Sequence, residues 1–183
     1  REPTLSNLGF SADGTLVLIP EYELINQSSV DLQYTSGAWL WKLESLFRQG
    51  QKNELGTEHN FYSFVGGFEY NFFGAFDTNA DVGLLAEYMR DSRLNKSTDA
   101  LQHDVFFGFR LALNDESDTQ ALAGLVQDLH ESTRQFFVEA SRRISDSIRA
   151  SLELQVFSSI ERGDILSDLR EDDFLGVKFA YYY

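Results

Sequence analysis

Polar and apolar residues alternate along most of this chain, in stretches of about ten residues separated by polar breaks. The clearest stretch is SIRASLELQVF, where apolar side chains fill the even positions from Ile148 to Val156 and polar ones such as Arg149 and Glu153 fill the odd positions. Successive side chains of a β-strand point to opposite faces, so this pattern predicts strands with one apolar and one polar face. Similar stretches recur from about residue 29 onward, and we expect about nine or ten strands.

The breaks between these stretches alternate in length. The shorter breaks lie at residues 36–37, 74–80, 115–119 and 145–146. The longer ones lie at 49–60, 92–103 and 158–172, with 130–133 as a short exception. This alternation predicts an all-β, antiparallel up-and-down meander with short turns at one end and longer loops at the other, as in transmembrane β-barrels.

Two segments fit the pattern less well. Apolar residues recur every four positions from 136 to 156, so a helix over 119–156 is an alternative, although Val138 and Leu154 at intermediate even positions favour strands. Residues 1–28 are expected to form an N-terminal loop or a partial strand, because Pro20 disfavours a central strand. We therefore assign the barrel to 29–183. The chain begins at Arg1 rather than Met, and we expect a processed or truncated product. Because bacterial single-chain barrels have even strand numbers, either a further strand lies within residues 15–25 or earlier strands are missing.

Composition excludes several classes of function. The formal net charge is −14, which argues against nucleic acid and against an anionic membrane surface as partners. There is no cysteine, so disulfides, thiolate metal sites and a cysteine nucleophile are excluded. No stretch approaches the roughly 20 apolar residues of a membrane-spanning helix. We expect no cofactor, no metal and no enzymatic activity.

Lipid is the expected environment of the apolar face, although a soluble lipocalin-like barrel would also show alternation. Aromatic residues gather near the predicted strand ends, as at a lipid–water interface. Charged residues occupy mid-strand positions on the other face, where a dry core would have to pair each of them, whereas a wet lumen would not. The expected lumen residues are Lys42, Glu44, Glu69, Glu87, Arg110, Glu139, Arg149, Glu153 and Lys178.

The C-terminal strand carries large apolar residues at alternate positions and ends on an aromatic residue. They are Leu175, Val177, Phe179, Tyr181 and Tyr183. This pattern resembles the C-terminal signature of Gram-negative outer-membrane β-barrel proteins, and TSGAWLWKLE and FEYNFFGAFDTNADVGLLAEYMRDSR are similar to segments of uncharacterised proteobacterial outer-membrane proteins. The resemblance implies location in the outer membrane, contact with its lipid and lipopolysaccharide, recognition by the barrel-assembly machinery, and closure between first and last strands.

The expected function is passive: a porin-like or transport-associated channel whose lumen charges steer small solutes. A non-conducting structural or adhesive barrel that acts through its loops is the alternative, and a homo-oligomer is left open. An outer-membrane lipid hydrolase is a third hypothesis, because His130, Glu131 and Ser132 supply suitable residue types. These three also fit a solvated loop.

Two further motifs have plain structural explanations. DTNADVG (77–83) begins like a calcium loop, but its glycine comes one position late and its twelfth position is Tyr88 rather than Glu. We expect a turn there. The glycines of FVGGFEY lack the pattern of a nucleotide loop, and in a strand they indicate close packing or a bend in the wall.

Overall fold

The chain folds into β-strands joined by turns and loops. The computed structural model describes residues 5–22, 24–52, 57–94, 101–164 and 166–183. Within these ranges the strands are β1 Leu5–Phe10, β2 Leu16–Glu21, β3 Asn26–Ser36, β4 Trp39–Lys52, β5 Glu58–Phe72, β6 Asp81–Asp91, β7 His103–Ala112, β8 Gln120–Asp128, β9 Arg134–Ser145, β10 Ile148–Ser158 and β11 Phe174–Tyr181. In these ranges helical structure is confined to short 3-10 turns such as Ala75–Asp77, and no helix is long and apolar enough to cross a membrane.

Strands β3 to β11 form one nine-stranded sheet in which each strand pairs with its neighbours in the sequence. Every pair is antiparallel. This confirms the expected up-and-down antiparallel sheet, and β8 and β9 show that segment 119–156 is strand rather than helix. Within the described ranges, β1 and β2 pair with each other as a hairpin separate from this sheet.

The sheet is open, with β3 and β11 at its two edges and no pairing between them in the described part of the chain. Since neighbouring strands alternate in direction, the first and ninth strands of this sheet run the same way. The two free edges are therefore parallel to each other.

The connections follow the expected alternation only in part. At the predicted loop end they are 53–57, 92–102, 129–133 and 159–173, and at the turn end they are 37–38, 73–80, 113–119 and 146–147, so two loop-end connections are shorter than two of the turns. The predicted break at 49–60 is too long, because β4 continues to Lys52 and β5 already begins at Glu58. The β4–β5 register shifts between Arg48 and Gln51, around Gly50 with φ +76°. Such a bulge inserts an extra residue into one strand and breaks the alternation, so the strand ends could not be read from the polar sequence QGQK.

Cross-strand register collects the alternating apolar residues onto one side of the sheet, which we call the apolar face. One row of directly opposed residues crosses eight strands: Tyr34, Trp41, Phe68, Ala86, Phe107, Leu125, Phe136 and Val156. Because a slip of one residue would turn each strand over, this row shows that all these strands present the predicted side.

The opposite side, which we call the polar face, holds most of the buried residues of the strands. These are Phe61, Glu69, Leu85, Met89, Asp91, Asp104 and Phe157. Large side chains on the apolar face remain exposed instead, among them Leu32, Phe107 and Phe179. The sheet is thus apolar toward its surroundings and packs its side chains together on the polar face, the reverse of a water-soluble sandwich.

Candidate functional site

All nine expected lumen residues lie on the polar face. Register puts Lys42 and Glu87 on either side of Gly67, and Glu69 and Arg110 beside Gly83 and Leu85. Glu139, Arg149, Glu153 and Lys178 occupy the same side of β9, β10 and β11. The polar face is the candidate site.

Lys42 and Glu87 meet across an intervening strand. Lys42 lies on β4 and Glu87 on β6, and the Lys42 Nζ is 3.6 Å from the Glu87 Oε1. Between them on β5 is Gly67, directly opposite both. A Cβ at this position would lie 2.6 Å from the Glu87 Cγ and would also collide with the Ala86 carbonyl oxygen. The missing side chain leaves the space that this ion pair occupies.

Glu69 and Arg110 make the same kind of contact one strand further along. The Arg110 Nη2 donates to the Glu69 Oε2 at 2.9 Å, from β7 to β5. Gly83 on β6 lies between them, and a Cβ there would be 3.2 Å from the Glu69 Oε1 and 3.4 Å from the Arg110 Cβ. Glu69 is only 3% exposed, so this charge-assisted hydrogen bond satisfies a buried carboxylate.

Phe106 and Phe137 repeat the arrangement with aromatic rings. Their centroids are 6.0 Å apart with an interplanar angle of 8°, from β7 to β9. A Cβ on the intervening Gly124 of β8 would lie 2.5 Å from both rings. At three places on this face, therefore, a glycine on the middle strand leaves room for side chains of the two flanking strands to touch. The sequence indicated close packing at Gly67 but not which side chains would meet there.

Other carboxylates of the polar face lie opposite one another rather than opposite a cation. Glu139 is directly opposite Glu153, and Asp31 is directly opposite Glu44. None of these four side chains has a hydrogen bond or ion pair with another described residue. Like charges directly opposed across strands are destabilising. Arg149, by contrast, reaches the 113–119 turn, where its Nη2 donates to the Asp118 Oδ2 at 2.7 Å.

Charge on the polar face is unevenly distributed along the strands. Toward the longer loops, one row contains the carboxylates Asp31, Glu44, Asp104 and Asp128. Toward the shorter turns, Arg143 is opposite Arg149, and Lys178 lies on the neighbouring strand. Between these ends are the two ion pairs described above. Arg48 also lies on this face toward the loops and Asp81 toward the turns, so neither end carries charge of one sign only.

The residues of the C-terminal signature lie on the apolar face. Leu175, Val177, Phe179 and Tyr181 are opposite Leu154, Leu152, Ala150 and Ile148 of β10. Tyr183, the fifth residue of the signature, lies two residues beyond the end of β11, outside the sheet, and is fully exposed. β11 pairs with β10 on one side only, so its other edge presents unpaired backbone groups.

The possible hydrolase residues do not come together. The backbone N–H groups of His130 and Glu131 donate to the Asp128 Oδ1, at 2.5 and 2.8 Å. This caps a tight turn in which Ser132 has φ +68°. Among the described residues there is no hydrogen bond between the His130 and Ser132 side chains, which a nucleophile and its base require.

The segment that resembles the start of a calcium-binding loop links two turns by hydrogen bonds. The Asp81 Oδ1 accepts from the Gly74 N–H at 3.0 Å, and its Oδ2 accepts from the Asn114 Nδ2 at 2.8 Å. These bonds tie two neighbouring turns together. In the described ranges no three His, Cys, Asp or Glu residues are grouped as metal ligands.

The sequence matches no protein-family model, no curated protein and no solved structure.

Proposed function

We propose that this chain forms the wall of a transmembrane β-barrel in a bacterial outer membrane, and that the barrel is a porin-like or transport-associated channel for small solutes. The observation that carries the proposal is the exposed apolar face. It runs across the nine-stranded sheet, whereas soluble monomers rarely expose contiguous apolar patches of more than a few hundred Å². Lipid is an environment in which such a face is stable.

Strand lengths and aromatic positions support a lipid environment. A tilted transmembrane strand needs about 9–11 residues, and the strands from β3 to β10 have 9 to 15. Trp39 stacks on Trp41 at 5.4 Å and meets the edge of Tyr70 at 4.6 Å, all near the turn end. Tyr181 and its two successors lie at the same end. Aromatic girdles of this kind mark the bilayer interface.

Barrel closure has a simple requirement in this topology. β3 and β11 run in the same direction, so a direct seam between them would be a parallel pairing. Closure by antiparallel pairing needs an odd number of further strands between the two edges. The total is then even, as in bacterial single-chain barrels.

The polar face would then line the interior. The row of carboxylates Asp31, Glu44, Asp104 and Asp128 lies toward the loops, which face outward in outer-membrane barrels. A row of carboxylates near the entrance attracts cations and repels anions. We therefore propose that the charges of this face select among small charged solutes.

A non-conducting barrel is the second candidate, favoured by a specific observation. The side chains that meet over Gly67, Gly83 and Gly124 fill space on the polar face and pair its charges. In a narrow barrel such contacts would plug the interior. The chain would then act as a structural or adhesive barrel through its loops.

Gel mobility of the detergent-refolded chain, with and without boiling, tests the membrane barrel. A closed barrel resists SDS until it is heated, so a heat-dependent shift would support the proposal and would mean that β3 and β11 are joined, directly or through further strands. No shift from a chain that is soluble in plain buffer would overturn the proposal. No shift combined with aggregation would show that these strands do not close by themselves, as the direction of β3 and β11 implies.

Ion selectivity of the refolded barrel in planar bilayers separates the two candidates. Arg110→Gln removes a cation from the middle of the polar face, so we expect the reversal potential in a salt gradient to move toward cation selectivity. Arg142→Gln is the matched control, because Arg142 lies on the apolar face opposite Ala150. Conductance with equal selectivity in both variants would contradict a charged lumen, and a heat-modifiable barrel without conductance would favour the plugged form.

A further inference from the structure

The connection between β10 and β11, residues 159–173, is the longest between strands of the sheet, and we call it the strap. Surface connections usually leave their residues exposed. Yet Ile160 and Asp164 of the strap are each only 8% exposed. Part of the strap is therefore packed against the rest of the protein rather than extended into solvent.

A buried hydrogen bond ties the strap to a distant connection. The Thr133 hydroxyl donates to the Asp164 Oδ2, and Thr133 is 4% exposed. Thr133 is the last residue of the β8–β9 connection, so the strap reaches the start of β9, the strand next to β10. The other Asp164 oxygen, Oδ1, accepts from the Leu166 N–H at 2.8 Å. Both oxygens of this carboxylate are thus engaged, as a buried charged group requires.

The base of the strap is tied down as well. The backbone N–H of Phe157, near the end of β10, donates to the Asp173 Oδ1 at 2.7 Å. This bond joins the two ends of the strap beside the sheet. On the receiving side, the Asp128 N–H donates to the Thr133 carbonyl oxygen at 2.9 Å and holds the β8–β9 connection in place.

Two residues at the loop end of the polar face are buried and lie where the strap could cover them. Asp104, on the polar face of β7, is 2% exposed. Phe157, on the polar face of β10, is also buried. A cover over both residues would extend from β7 to β10.

We propose that the strap is a lid over the loop end of the polar face and that the Thr133–Asp164 hydrogen bond is its latch. Opening of the latch exposes the polar face beneath to solutes from the loop side. The role of the lid in transport rests on the proposed function, whereas the latch and the cover it provides can be tested without a channel.

Thiol labelling tests the lid, because the chain has no cysteine of its own. A reporter Gln135→Cys places a thiol on the polar face of β9, opposite Phe157 and two residues from the latch. With Thr133→Val we expect a small, charged, water-soluble maleimide to react about tenfold faster, since a hydrogen bond to a charged group is lost. A second reporter, Gln33→Cys, lies on the polar face of β3, remote from the strap, and its rate should not change.

A second hydrogen bond between a threonine and an aspartate, at the turn end of the sheet, provides the control. The Thr119 hydroxyl donates to the Asp115 Oδ2 at 2.8 Å in an exposed turn, so Thr119→Val removes the same kind of bond without touching the strap. Thr133→Ser keeps the hydroxyl and should restore the slow reaction. If Thr133→Val does not fold, Asp164→Asn gives the second test, because a neutral acceptor weakens the same bond.

Equal labelling rates of Gln135→Cys in the latch variants and in their parent would overturn the proposal that the strap is a lid. Faster labelling of both reporters would also overturn it, because a general loosening of the sheet would then be the cause. Absence of the heat-dependent mobility shift would count against the membrane barrel alone, and the labelling ratio would still decide whether the latch holds a cover.

Discussion

Leu152→Arg is expected to lower the free energy of unfolding in a lipid bilayer by about 2–4 kcal/mol, because the charge would face hydrocarbon near the middle of β10. Leu152 lies on the apolar face opposite Ala140 and Val177 and is 38% exposed. In plain buffer, a position with this exposure tolerates arginine with little loss of the free energy of unfolding. The difference between lipid and buffer therefore reports on the environment of the face itself.

Gln155→Arg is the matched control for this substitution. Gln155 lies three residues away on the polar face, opposite Phe137 and Phe174. Its effect in lipid should stay within about 0.5 kcal/mol, as for an ordinary surface substitution. Denaturant unfolding of both variants in lipid vesicles gives the comparison. Equal effects at positions 152 and 155 would mean that the apolar face does not contact lipid.

Gly67→Ala is expected to destabilise the sheet by about 1–3 kcal/mol, the usual range for overpacking. The added methyl group would collide with the Ala86 carbonyl oxygen and lie 2.6 Å from the Glu87 Cγ. The first contact involves backbone, which cannot rotate away. We expect the Lys42–Glu87 ion pair to open as Glu87 is displaced. Denaturant unfolding of the detergent-refolded protein measures the loss.

The adjacent glycine offers a close control. Gly66 is on the same strand but on the apolar face, where a Cβ would meet only the Leu43 Cδ1 at an ordinary 3.6 Å. Gly66→Ala should be neutral or slightly stabilising, since alanine has less freedom to lose on folding. A similar loss from both substitutions would attribute the effect to glycine flexibility in β5 and not to the crowded polar face.

Much of the fold could be predicted because each strand has two chemically different faces. Alternation in the sequence alone locates β3 to β11 and assigns residues such as Leu152 and Glu153 to opposite faces. Alternation does not predict the structure where the strand pairing is irregular or local. The bulge at Gly50 hid the ends of β4 and β5, and the β1–β2 hairpin uses residues whose partners are local rather than in the main sheet.

The residues of the candidate site could be predicted from the sequence, but the contacts between them could not. The nine charged residues were placed on one face by their parity alone. Which of them touch depends on register across three strands and on a glycine at the crossing point, as at Gly83 between Glu69 and Arg110. The Thr133–Asp164 bond joins two connections far apart in sequence, and neither residue stands out in its local sequence.

The direction of the two free edges also decides how copies of this sheet can associate. Copies inserted in one membrane share an orientation, with their loops on the same side. β11 of one copy then meets β3 of the next in parallel, the slightly weaker form of strand pairing. An antiparallel seam between copies requires a twofold axis in the membrane plane, which would put the loops of one copy on the wrong side. Strand parity thus disfavours edge-to-edge polymerisation and leaves the edges open to strands that run the other way.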